Sequence, residues 1–70
     1  MNMNKLHNEC KKLGEKMGIE VINCHTNFEF HKLKNKRVVY LNDYALKNLM
    51  HGSDYQKSAK AVMKYVKSCF

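Results

Sequence analysis

Proline and tryptophan are absent from this chain of 70 residues, glycine occurs three times, and Arg37 is the only arginine among 13 basic residues. With no stretch rich in proline, glycine or serine, there is no linker and no low-complexity segment, and residues 1–70 read as one domain. A lone arginine argues against base-edge readout, because bidentate contacts to guanine are usually arginine's task. Three cysteines, Cys10, Cys24 and Cys69, cannot all pair within one chain and show no C-x-x-C spacing. They exclude a disulfide framework and fit a reducing, cytoplasmic compartment. No segment approaches the roughly 20 apolar residues of a membrane span, and Met1 to Lys12 holds no long apolar run, so neither a signal peptide nor an anchor is expected.

Acidic residues are few as well, six against 13 basic ones, which leaves a net charge of +7. The excess is spread as +2, +2 and +3 over residues 1–18, 19–42 and 43–70, so it belongs to the folded body and not to a tail. A basic body attracts nucleic acid, an anionic membrane or an acidic protein surface. The bland explanation is genomic. Lysine with eight asparagines and no proline is what an AT-rich genome writes without functional demand.

Periodicity divides the chain. Met3, Leu6, Cys10, Leu13 and Met17 form one helical stripe, with Asn2 or Asn4 to cap its start and Gly18 placed to end it in the left-handed conformation. Glu9 follows Lys5 by four and Glu15 follows Lys11 by four, which neutralises part of this helix's charge. Residues 19–41 change period. Ile19, Val21 and Ile22, then Phe28, Phe30 and Leu33, then Val38 to Leu41 read as three short antiparallel strands. The second turn, Lys34–Asn35–Lys36, is predicted to place Asn35 at positive φ. Val38–Leu41 is apolar on both faces, which predicts a central strand or one face meeting a second subunit. Asn42 or Asp43 caps a short helix that Gly52 closes, and Ser53 with Gln56 forms a capping box for the last helix. The expected fold is a small α+β domain: helix, three-stranded antiparallel β-meander, short helix, long C-terminal helix, with the helices on one sheet face. Its expected core is Leu6, Leu13, Ile19, Val21, Phe28, Phe30, Val39, Leu41, Leu49, Val62, Val66 and Phe70.

Two basic clusters carry the functional reading. Lys57, Lys60, Lys64 and Lys67 fall within an arc of about 80° on the last helix and span about 15 Å, opposite Tyr55, Ala59, Val62, Met63, Val66 and Phe70. Exposed ammonium groups in a row can track successive phosphates by releasing condensed counterions. Lysine on the wet face of an amphipathic helix is as often only a solvated surface, yet this ridge contains no acid. Lys32, Lys34, Lys36 and Arg37 crowd the second hairpin, the first three on a common side if the strand runs through them. Loops and edge strands also carry lysine merely to block edge pairing. Tyr65, at the border of the apolar arc, is placed to stack on a base, although a tyrosine at a core margin more often packs.

Other chemistry is weaker. His7 with Cys10, and Cys24 with His25, lack a recognised ligand spacing, so no metal or other cofactor is expected. His25, Glu29 and His31 supply the minimum for a small ribonuclease, but strand alternation explains them as a solvent face, and no nucleophile elbow, phosphate loop or carboxylate cluster accompanies them. A helix-turn-helix over 43–70 would put Lys47 and His51 at packing positions. The α-β-β-β-α order with a basic last helix is similar in layout to double-stranded RNA-binding domains. That family's lysines cluster at the start of the last helix, where only Lys57 and Lys60 lie here, and an extra helix over 43–51 intervenes. The expectation is therefore a non-enzymatic binder of nucleic acid. The alternative is a phage-type or accessory module that binds and inhibits a larger acidic protein, with a homodimer as one of its forms.

Overall fold

The computed structural model describes all residues from Met1 to Phe70. Helix α1 spans Met3–Met17, strands β1, β2 and β3 span Ile19–Asn23, Asn27–Lys32 and Arg37–Asn42, helix α2 spans Asp43–Asn48, and helix α3 spans Tyr55–Cys69. The fold is a small α+β domain with the strands in the order β1-β2-β3, both pairs antiparallel. No helix is long and apolar enough to cross a membrane.

Helix α1 begins where the Asn2 side chain accepts from the Lys5 N–H and ends where Gly18 turns left-handed at φ 69°. Both devices satisfy groups that a helix end leaves open. The chain then enters β1 directly. Alternation sends Ile19 and Val21 of β1, Phe28 and Phe30 of β2, and Leu41 of β3 to the helix side, where they close a core with Leu6, Cys10, Leu46, Ala59, Val62, Met63 and Val66. Phe28 and Phe30 meet edge to face at 6.1 Å between centroids. Helices α1 and α3 lie side by side and run the same way. Their starts are joined by a 2.7 Å hydrogen bond in which the Asn2 N–H donates to the Tyr55 hydroxyl, and Met17 and Phe70 share a cleft at their ends. Ser58, fully buried, fixes the α2–α3 connection: its hydroxyl donates to the Asp54 carbonyl and accepts from the His51 N–H.

Several local expectations are corrected. Val38–Leu41 is not central: β2 holds the middle and β3 is an edge strand, with Val38 and Tyr40 exposed. Leu33 leaves the strand and stands 64% exposed in the turn. The residue at positive φ there is Lys36, at 60°, while the Asn35 side chain accepts from the Arg37 N–H and so stabilises the turn from outside its strained position. Asp54, not Ser53, caps α3, because its carboxylate reaches the Lys57 N–H at 3.0 Å. Helix α2 ends at Asn48, before Gly52, which turns at φ 58° within the connection. On α1 the ion pair that forms is Lys12 with Glu9, at 3.2 Å. Leu13, Val39, Leu49 and Phe70 are only partly buried at the core margin, while Cys10, Leu46, Ala59 and Met63 are inside it.

Candidate anionic-partner interface

The cap at Asp54 fixes the phase of α3. With Ser58, Ala59, Val62, Met63 and Val66 turned inward, Lys57, Lys60, Lys64 and Lys67 are all exposed on the opposite side. None of the four is in a salt bridge; the Lys12–Glu9 ion pair and the contact of the His31 ring with Glu29 lie elsewhere. The ridge is not uniform along its length. Asp54 sits one turn before Lys57 and holds its N–H, so the first lysine is flanked by an acid. The positive field is therefore strongest over Lys60, Lys64 and Lys67.

The second hairpin meets the ridge at that same end. Lys32 and Arg37, the pair that closes the turn, are both tied to the last residue of α3's capping turn. Arg37 Nη1 donates to the Phe70 main-chain oxygen at 3.1 Å, and Lys32 Nζ lies 5.6 Å from the centre of the Phe70 ring. A cation over an aromatic face is attracted by the ring quadrupole, so Phe70 gathers both cations against the helix end. Lys16, from the last turn of α1, joins Lys32 and Lys67 around the cleft beside Phe70. The structure thus brings Lys67, Lys32 and Arg37 together at the Phe70 end of α3, to which sequence reasoning had not assigned Lys16, while Lys60 and Lys64 lie further back along the helix. Lys34 and Lys36 are exposed in the turn but do not share an alternating side with Lys32, because the strand stops at Lys32.

A plain structural role competes for two of these residues. Lys16 and Lys67 occupy the last turns of α1 and α3, where the helix dipole favours a cation whether or not anything binds. The dipole does not account for Lys60 and Lys64, which lie further from the helix end. Tyr65, 47% exposed, remains open to solvent on the same helix.

The remaining chemistry-bearing side chains lie apart. His7 bonds the Val21 carbonyl through Nε2 at 2.8 Å and packs on Phe28, a structural role for a histidine at the α1–β1 contact. Burial, with the nearby Glu9 charge adding to it, pushes the Cys10 thiol up to about 12, so it stays a neutral core group. His31 Nε2 and Glu29 Oε1 are 2.9 Å apart on the outer sheet face, each about one-third exposed. Cys24 donates weakly to the other oxygen of Glu29, and desolvation, then the Glu29 charge and this bond, raise its thiol above the ordinary value. His25 is exposed in the β1–β2 turn at φ 69° and does not join Glu29 and His31. No three His, Cys, Asp or Glu side chains converge as a metal site would require. Compared with protein-family models, curated proteins and solved structures, the chain matches none.

Proposed function

We propose that this protein is a non-enzymatic binder of nucleic acid that engages the phosphate backbone through Lys60, Lys64 and Lys67, with Lys57, on α3, and through Lys32 and Arg37 at the hairpin base, Lys34 and Lys36 extending the contact from the turn. The observation that supports this reading is the attachment of Lys32 and Arg37 to Phe70, which sets the base of the second hairpin beside Lys67 at the end of the α3 ridge. Such a surface follows repeated phosphates and gives an affinity that falls steeply with salt. With a single arginine, recognition is led by backbone and shape instead of base edges. Three free thiols are compatible with a reducing, cytoplasmic setting.

Fluorescence polarisation of labelled double- and single-stranded DNA and RNA, at low and near-physiological salt, tests the reading. One polymer is expected to bind above the others at physiological salt. Lys60→Glu with Lys64→Glu is expected to weaken that binding by about tenfold or more with little change in Tm, since both side chains are exposed. Weak binding that vanishes with salt for every polymer alike, or binding indifferent to the charge reversal, would remove the proposal. The reading as an inhibitor of a larger acidic protein sets the same basic ridge against an acidic surface, with exposed Val38 and Tyr40 of β3 available for dimerisation, and a pull-down checks it.

A further inference from the structure

The two edges of the sheet are treated differently. The β1 edge is covered by α1: His7 Nε2 takes the Val21 carbonyl, and Gly14 brings the helix so close that a Cβ there would stand 2.4 Å from the Ile19 carbonyl oxygen. The β3 edge has β2 on one side and no strand on the other. The devices that usually guard an open edge are proline, inward charge, a bulge or a lysine within the strand. Within β3 the one charge is Arg37 at its first position; Val38–Val39–Tyr40–Leu41 carries none of these devices, and the register with β2 runs unbroken from Asn27↔Asn42 to Lys32↔Arg37. Two of the exposed large apolar side chains, Val38 and Tyr40, stand on this strand, and Tyr44 follows shortly after it.

We propose that β3 pairs antiparallel with β3 of a second copy, about a two-fold axis at Tyr40, joining two three-stranded sheets into one of six strands. Symmetry and charge select this register. A two-fold axis perpendicular to the sheet keeps each face continuous, so opposed residues must point to the same face and differ by an even number of positions. Centring on Tyr40 opposes Tyr40 to itself, Val39 to Leu41 and Val38 to Asn42, and brings Arg37 toward Asp43, the first residue of α2 just beyond the strand. Arg37 and Asp43 are exposed, and Asp43 has no ion-pair partner within its own chain. The pairing therefore places a cation against an anion at both ends. Centring on Val39 instead opposes Arg37 to Leu41 and Lys36 to Asn42, with no such match. The two Tyr40 rings meet on the outer face as a cross-strand aromatic pair. One six-residue strand pair buries less than the roughly 1,200 Å² of a standard interface, so the dimer is weak and concentration-dependent. None of this rests on nucleic-acid binding.

Sedimentation equilibrium from micromolar to millimolar protein, without nucleic acid, is expected to show the mass rising from 8.3 kDa toward twice that value. Tyr40→Lys, at an exposed position, is expected to raise the dissociation constant by about tenfold or more, with the circular dichroism spectrum retained. Register is tested separately in a Cys24→Ser, Cys69→Ser background under mild oxidation. There Tyr40→Cys faces its own copy across a strand pair, at about 4.5–5.5 Å between Cα atoms, and is expected to cross-link, whereas Val38→Cys faces Asn42 and is not. A monomer at every concentration, a dimer unaffected by Tyr40→Lys, or preferential cross-linking through Val38→Cys would overturn the proposal.

Discussion

Gly14 shows how much one missing methyl group decides. It is buried in the last turn of α1, and a Cβ there would meet the Ile19 carbonyl oxygen at 2.4 Å and a Val21 methyl at 3.1 Å. The oxygen is backbone and cannot rotate away, so α1 would have to lift off β1. Gly14→Ala improves helix propensity, yet it is expected to destabilise the protein by about 1–3 kcal/mol, the usual cost of overpacking. A urea midpoint equal to or above that of the parent would show that the helix moves freely. Gly14 was not legible beforehand. Inside a helical stripe glycine is an ordinary weak spot, and only the tertiary approach of β1 makes it necessary. Lys36 was hidden for a similar reason. Asparagine is the better resident of the left-handed region, but the four-residue loop length puts the strained position one residue later.

Elements were largely readable, because the period of apolar residues changes from helical to alternating at Gly18 and back again at Asn42. Their ends followed from capping chemistry except at the close of α2, which stops at Asn48 before Gly52, and at the start of α3, where Ser53 and Asp54 are adjacent and both fit. The carboxylate that reaches the Lys57 N–H decides in favour of Asp54. Asp54→Ala is expected to cost about 1 kcal/mol, and Ser53→Ala only a few tenths, in chemical denaturation. Asp54→Asn separates the cap from the charge, for asparagine caps as well as aspartate does. Its stability should match the parent while anion binding strengthens, and a stability loss equal to that of alanine would mean the cap is not the residue's contribution. The expected meander set β2 between β1 and β3, as found, but the place of Val38–Leu41 was left open by periodicity. A strand apolar on both faces describes a buried centre and an unpartnered edge equally well, and β3 proved to be the second.

At the scale of the whole molecule, the basic pole was half legible. Lys57, Lys60, Lys64 and Lys67 share a helix face by spacing alone, but their junction with Lys32 and Arg37 depends on Phe70 reaching the base of the hairpin, more than 30 residues away in sequence. The like direction of α1 and α3 was outside the reach of local patterns too. Two neighbouring helices that run the same way cannot be joined by a short turn, and here the entire sheet and α2 lie between them. Leu6 and Cys10 of α1 complete their burial only with residues of α3, the two starts being bonded across 53 positions. On the ribosome this imposes a wait. The first helix and the sheet emerge with their shared apolar side open, and the last 15-residue helix must clear the exit tunnel before it can close over them. A chain halted at Gly52 is accordingly expected to melt without a cooperative transition and to be cut readily by protease. A sharp melt in that fragment would show that the nascent chain needs no such delay. Otherwise α1, the sheet and α3 fold together in one step once α3 is free.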